Sequence, residues 1–222
     1  MYFLLSFENL RKDSEIIALI ERANHVLGEI GYTEHGLAHA VKVGEDASRI
    51  LNALGYDEHL CELARIAGLL HDTGNVVNRC DHAQSGAFIA YDILKSKGIP
   101  FGDVIEVTTA IGHHDEATAA PVTPLAAALI LADKSDVRTS RVRNRETLHN
   151  DIHDRVNYAV FSSKLDVDRE KRLVALTLKI DTLVCPVMEY FEIFLERMVL
   201  CKKSAAALKC DFELIINDTR LL

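Results

Sequence analysis

Apolar positions recur at helical spacing through the first part of the chain. Between Asp13 and Ile30 they fall at residues 16, 17, 19, 20, 23, 26, 27 and 30, the period of an amphipathic helix. Gly31-Tyr32-Thr33 interrupts that pattern. A second helix is expected from about Glu34 to Leu54, with Leu37, Ala40, Val41, Ile50 and Leu51 facing inward and Gly55 as its stop. A third starts at Asp57, a suitable N-cap, and carries Leu60, Leu63, Ala64, Ala67 and Leu70 up to His71, with Gly74 closing it. Three more are expected near Asp81–Lys97, Gly102–His113 and Pro124–Asp136, and Pro124 suits a first helical turn.

The pattern then changes. Tyr158–Ser162 and Leu173–Ile180 read as strands, joined as a long hairpin by the polar stretch Ser163–Arg172. After Thr182, Met188, Phe191, Leu195 and Met198 mark an amphipathic helix, and Phe212–Ile216 a last strand. The expected fold is mainly α: a helical domain over residues 1–155, then a small α+β subdomain (β-β-α-β) over residues 156–222 with no obvious chemistry of its own. A three-stranded sheet needs cover on its second face, so this subdomain is a candidate homodimer surface.

Composition narrows the function classes. The 222 residues are 49% hydrophobic and 26% charged, with 4 prolines and 11 glycines, as in a compact globular protein. A net charge of −8 argues against nonspecific nucleic-acid binding, which runs on Lys and Arg, and against an electrostatic membrane anchor. No apolar run is long enough to span a bilayer, and the short apolar start lacks the basic flank of a secretory signal. Five widely spaced cysteines without a CxxC pair suit reduced thiols in a soluble, cytoplasmic protein.

The ten histidines carry the chemistry. His35 and His39 are four apart on one expected helix and so share a face. His71 and Asp72 end another helix, His82 opens the next, His113 and His114 end a further one, and Asp133 sits in the apolar run Ala-Leu-Ile-Leu-Ala-Asp133. An unpaired carboxylate in such a run is costly. Imidazoles with a few carboxylates and no thiolate suit a divalent transition metal such as Mn, Fe, Co, Ni or Zn. His25, His59, His149 and His153 read as surface residues.

His39-x3-Val43, then Leu69-Leu70-His71-Asp72-Thr73-Gly74, then Ala132-Asp133-Lys134 together resemble the HD superfamily of metal-dependent phosphohydrolases over about residues 33–137. The resemblance implies an all-helical core in which His39, His71, Asp72 and Asp133 hold one divalent ion. His71 and Asp72 are then the catalytic pair, with Asp72 orienting the attacking water. His82 and one of His113 and His114 extend the likeness to members that hold a second metal; the sequence leaves open which of the two it is, and whether His35 also takes part. Two features depart from that pattern. No Gly-Tyr-Pro follows the double histidine, and Asn75 stands where many members carry a lysine, so phosphate contacts must come from elsewhere.

Arg138, Arg141, Arg143 and Arg145 cluster just beyond Asp133 and Lys134. They either meet phosphate, for which the guanidinium fork is suited, or pair with Glu146, Asp151 and Asp154. Lys134, Arg138 and Arg141 are the candidate substrate-binding residues. The expected activity is hydrolysis of a nucleotide or other small phosphoester by a metal-activated water. Two alternatives stand beside it: oxidative cleavage at a diiron centre on the same fold, and a non-catalytic module that binds metal or nucleotide.

Overall fold

The computed structural model describes residues 6–143 and 152–222. The mainly α architecture is as expected. Among the described residues up to 143 there are seven α-helices: α1 (Phe7–Leu10), α2 (Ser14–Glu29), α3 (Leu37–Leu54), α4 (Glu58–Leu70), α5 (His82–Ser96), α6 (Phe101–Gly112) and α7 (Pro124–Ser135). Several starts are set by side-chain caps. Asp13 accepts from the amides of Glu15 and Ile16, Asp57 from Leu60 and Thr123 from Ala126, each satisfying a first-turn donor that has no helical acceptor.

Helix α7 is the axis of the fold. Every residue from Leu125 to Ala132 is buried, which is why its sequence is apolar on all sides rather than on one stripe. Helices α3, α4 and α6 pack on it, and so does a later helix over Val187–Ala207. Helices α3 and α4 approach closely through a glycine pair: a Cβ on Gly68 would lie 2.3 Å from the Cα of Gly44. That approach brings the residues at the start of α3 beside the end of α4.

Beyond 151, α8 (Ile152–Ala159) leads directly into β1 (Val160–Asp168), followed by β2 (Leu173–Ile180), α9 (Val187–Ala207), β3 (Asp211–Ile216) and a short β4 (Thr219–Arg220). The sheet order is β1-β2-β3-β4. Strands β1 and β2 are antiparallel, while β2 and β3 are parallel with α9 as the crossover. The expected long hairpin is instead a short turn, because Ser163–Asp168 is strand and pairs with Leu173–Leu178. β1 is an edge strand that turns polar residues to one face, which charged edges commonly do, and this conceals the inward Leu165. The buried face of α9 also differs from expectation. It runs through Tyr190, Phe194, Met198, Cys201 and Ala205, whereas Met188 and Leu195 are exposed.

Candidate metal centre

His71 caps the C-terminus of α4, and Asp72 follows in a bridge-region conformation (φ −96°, ψ 2°) that starts a 3-10 turn over Thr73–Val76. Continuing the helix would have sent Asp72 about 100° round the axis. The break returns its carboxylate toward His71 instead. The turn needs Gly74, since a Cβ there would lie 1.9 Å from the carbonyl oxygen of His82. Asn75 locks the result: its Nδ2 donates to Asp72 Oδ1 at 3.0 Å and to the Asp72 carbonyl at 2.9 Å. Asn75 therefore orients the central carboxylate.

Around Asp72 the structure gathers His39 from α3, His71, His82 from α5, His114 after α6, and Asp133 from α7. Asp72 Oδ2 is 3.2 Å from His71 Nε2 and 3.7 Å from His39 Nε2, while its Oδ1 is 3.5 Å from His82 Nε2 and 3.9 Å from His114 Nε2. Asp133 Oδ1 lies 3.4 Å from His39 Nε2 and 3.7 Å from His71 Nε2. Among the described residues three groups have donor atoms close enough to share an ion: His39-His71-Asp72, His71-His114-Asp133 and Asp72-His82-His114. Asp72 turns one oxygen toward each end of this arrangement. Of the two adjacent histidines, His114 joins these groups and His113 joins none of them.

The outer faces of the imidazoles fix their tautomers. Nδ1–H of His71 donates to the Gly68 carbonyl (2.8 Å), that of His114 to Ile111 (2.7 Å) and that of His82 to Arg79 (3.1 Å). A carbonyl can only accept, so in each neutral ring Nε2 is bare and carries its lone pair inward. His39 Nδ1–H donates to Asp136 Oδ2 at 2.7 Å. The Nε2 atoms of His39, His71 and His114 are buried without a hydrogen-bond partner among the described residues. Buried polar atoms are rarely left so, and three convergent lone pairs beside two carboxylates fit a divalent cation.

Electrostatics agrees with that fit. Burial alone would raise Asp72, but His71, His35 and His82 hold it well below the ordinary carboxylate range; Lys134, His39 and His71 do the same for Asp133. Burial pushes His114 well below the usual imidazole value and lowers His82, leaving both neutral. For His71, burial is outweighed by the Asp72 and Asp133 carboxylates, which raise it.

His35 is not on α3 as the sequence suggested. The segment before the helix is extended: His35 N–H donates to Asn24 Oδ1 and Glu34 N–H to the Arg141 carbonyl, and the helix begins only after Gly36. The His35 ring nevertheless sits 5.3 Å from that of His39, where it lines the cavity over the centre.

The expected arginine cluster separates. Arg141 is buried and lines the cavity over the centre, as does Lys134, whose Nζ is 2.7 Å from Asp133 Oδ2. Arg138 lines neither that cavity nor its neighbour; it grips Asp136, Nε to Oδ1 at 2.8 Å. Arg143 holds the loop after α2, donating to the Tyr32 and Asn24 carbonyls. Arg145 lies outside the described residues, as does His149. His25 and His59 are exposed as expected; His153 is exposed too, but borders the adjoining cavity.

Three contributors were not anticipated. Asp136, one turn beyond Asp133, is fully buried beneath His39, and its spacing from Asp133 was the available signal. Arg79, between Asp72 and His82, and Arg197 of α9 both line the cavity over the centre. Nothing in the sequence marked Arg197. The C-terminal subdomain thus reaches the site, contrary to its apparent lack of chemistry.

Residues 36–138 match the family model described as HD domain. These residues are an HD domain. Among similar proteins, Ribonuclease Y of Opitutus terrae is 34% identical over 119 residues, 54% of this chain and 20% of that protein. An uncharacterized protein of Methanocaldococcus jannaschii is 26% identical over 159 residues, 62% of this chain and 61% of the relative. Ribonuclease Y of Petrotoga mobilis is 33% identical over 141 residues, 62% of this chain and 24% of that protein. In each case the chain covers less than two thirds of the relative's length. A solved structure described as a predicted HD superfamily hydrolase, from an uncultured Thermotogales bacterium, is 29% identical with a TM-score of 0.44, covering 56% of this chain and 67% of that one. All the clustered ligand candidates lie within the HD domain, as does Asp136, whereas Arg197 lies beyond it. No helix among the described residues is long and apolar enough to cross a membrane.

Proposed function

We propose that this HD domain is a metal-dependent phosphohydrolase acting on a small phosphoester, nucleotides among them. The observation that carries this reading is a cavity where Asp72, His82 and Asp133 of the cation-ready donor set meet four basic side chains: Arg79, Lys134, Arg141 and Arg197. A binding module for metal alone has no use for those cations, while a phosphoryl group needs both. When bound, a divalent cation polarises phosphoryl oxygens and brings the pKa of a water toward neutrality.

The chain's own residues do the rest. His39, His71, Asp72 and Asp133 would hold a first divalent cation, and Asp72, His82 and His114 would hold a second. Asp72, pinned by Asn75, offers a fixed acceptor that orients the attacking water. Lys134 and Arg141 hold the phosphoryl oxygens as fixed donors and offset the charge that grows on them. Burial and the Arg141 guanidinium push His35 well below its ordinary value, and its Nδ1–H is spent on the Thr33 carbonyl. It therefore stands over the centre as a neutral acceptor.

The test is a screen of Mn, Co, Ni, Mg and Fe against nucleotides, cyclic dinucleotides and a generic aryl phosphoester. Phosphate release that needs metal, proceeds without dioxygen and is lost in Asp72→Ala is the expected result. Full activity in Asp72→Ala refutes the reading, and a strict need for dioxygen transfers the protein to the oxidative class.

A further inference from the structure

A second cavity adjoins the metal centre and shares His35, Arg79, Arg141 and Arg197 with it. Its volume is about 300 Å3, at the small end for organic ligands. Ile30, Tyr32 and Phe194 provide its apolar wall. No carboxylate lines it among the described residues, although the chain carries 33 acidic residues against 25 basic ones.

The three arginines are each oriented by contacts with the protein. Arg141 donates Nε–H to the Glu34 carbonyl and Nη1–H to the Asp136 carbonyl, leaving Nη2 with no hydrogen-bond partner among the described residues. Among the described residues Arg197 makes one ion pair, Nε to Glu116 at 2.5 Å, and its guanidinium lies over the Phe194 ring at 4.4 Å. Arg79 stacks over the Tyr32 ring at 5.1 Å, with Nη1 donating toward Asn75 Oδ1 (3.5 Å) and His82 Nε2 (3.3 Å) and Nη2 3.9 Å from Asp115. Pairing of this kind orients a guanidinium and leaves the remaining donors for a ligand.

We infer that this cavity is a second-anion site: the substrate carries, beside the phosphate at the metal centre, another anionic group bound by Arg141 and Arg197 with Arg79. Linked phosphates have that chemistry, as in a nucleoside diphosphate or triphosphate, and a scissile phosphate next to a further phosphate spans the two cavities. The inference rests on the phosphohydrolase reading in placing the first phosphate. It makes the C-terminal subdomain, through α9, a determinant of specificity.

Metal-free, isotope-labelled full chain is titrated with inorganic pyrophosphate and, separately, with orthophosphate, following the arginine side-chain resonances. Pyrophosphate is expected to shift the Arg141 and Arg197 signals and to bind about tenfold more tightly than orthophosphate, the value of one further charge-assisted contact. Arg197→Gln should bring that ratio close to one. Arg79→Gln, on a different element, should lower it as well, which guards against a misfolded first variant. Unmoved Arg197 signals, equal affinities in the unaltered chain, or an unchanged ratio in both variants overturn the inference. Turnover without the preference keeps the phosphohydrolase and removes the second-anion site; the preference without turnover does the reverse.

Discussion

Asp136 touches no cavity over the centre, yet its replacement by Asn should weaken metal binding sharply. Oδ2 accepts from His39 Nδ1–H at 2.7 Å and from Arg138 Nη2–H at 3.3 Å, while Oδ1 faces the Arg138 guanidinium as an ion pair, 2.8 Å from Nε. An amide has one oxygen and one NH2 group, so one of those donors must then face another donor. If the NH2 faces His39, the imidazole is driven to the tautomer with Nε2 protonated and is lost as a ligand. If it faces Arg138, His39 keeps only a neutral hydrogen bond, and the ion pair with the part-buried Arg138 guanidinium is broken. Charge-assisted bonds contribute about 1.5–3 kcal/mol against roughly 1 kcal/mol for neutral ones. Supporting residues of this kind typically control about 10- to 100-fold in metal affinity. Asp136→Asn should therefore lose about 1.4–2.8 kcal/mol of binding free energy, read by competition with a chromophoric chelator. Circular dichroism on the same samples checks that the variant is folded. A folded Asp136→Asn chain that binds metal within twofold of the unaltered one would refute the tautomer argument.

Two further outcomes are expected. His114→Ala should lower metal stoichiometry or affinity, whereas His113→Ala should leave both unchanged, because only His114 shares the ligand groups; equilibrium dialysis with elemental analysis distinguishes them. Asp13→Ala should destabilise the fold by about 1 kcal/mol through loss of the α2 cap. The Lys97 ammonium, which hydrogen-bonds the Asp13 carboxylate, and the cap amides lower the folded pKa of Asp13. Its stabilisation is then complete above the ordinary carboxylate value and fades as pH falls through the depressed one. Urea melts from neutral to acid pH should show the two chains converging at the acid end, and a gap that grows on acidification would contradict the assignment.

The site was legible where chemistry and element type coincide. Histidines at helix ends and a lone aspartate in an apolar helix are improbable unless something satisfies them, so His39, His71, Asp72 and Asp133 could be singled out by residue type and order. Of the double histidine, periodicity alone could not choose. His113 and His114 lie where α6 ends, and the backbone there departs from helical geometry, so a 100° rule no longer predicts direction. His35 illustrates the same limit: four residues from His39, it meets that ring only because the chain arrives extended and is held by Asn24.

The sequence by itself determined the helical order, the apolar α7 and the set of metal-seeking side chains, because those depend on periodicity and on the cost of burying charge. It also set the strand-rich tail, although the polar face of an edge strand hid β1 beyond Ser162. Tertiary structure decided what surrounds that set. Asp136 became a support for His39 through a contact between residues 97 apart, made only once the helices had packed. Arg197, 64 residues beyond Asp133 in the chain, reached the cavity because α9 lies along α7. Local propensity carries no record of such a meeting; the close packing of two distant helices creates it.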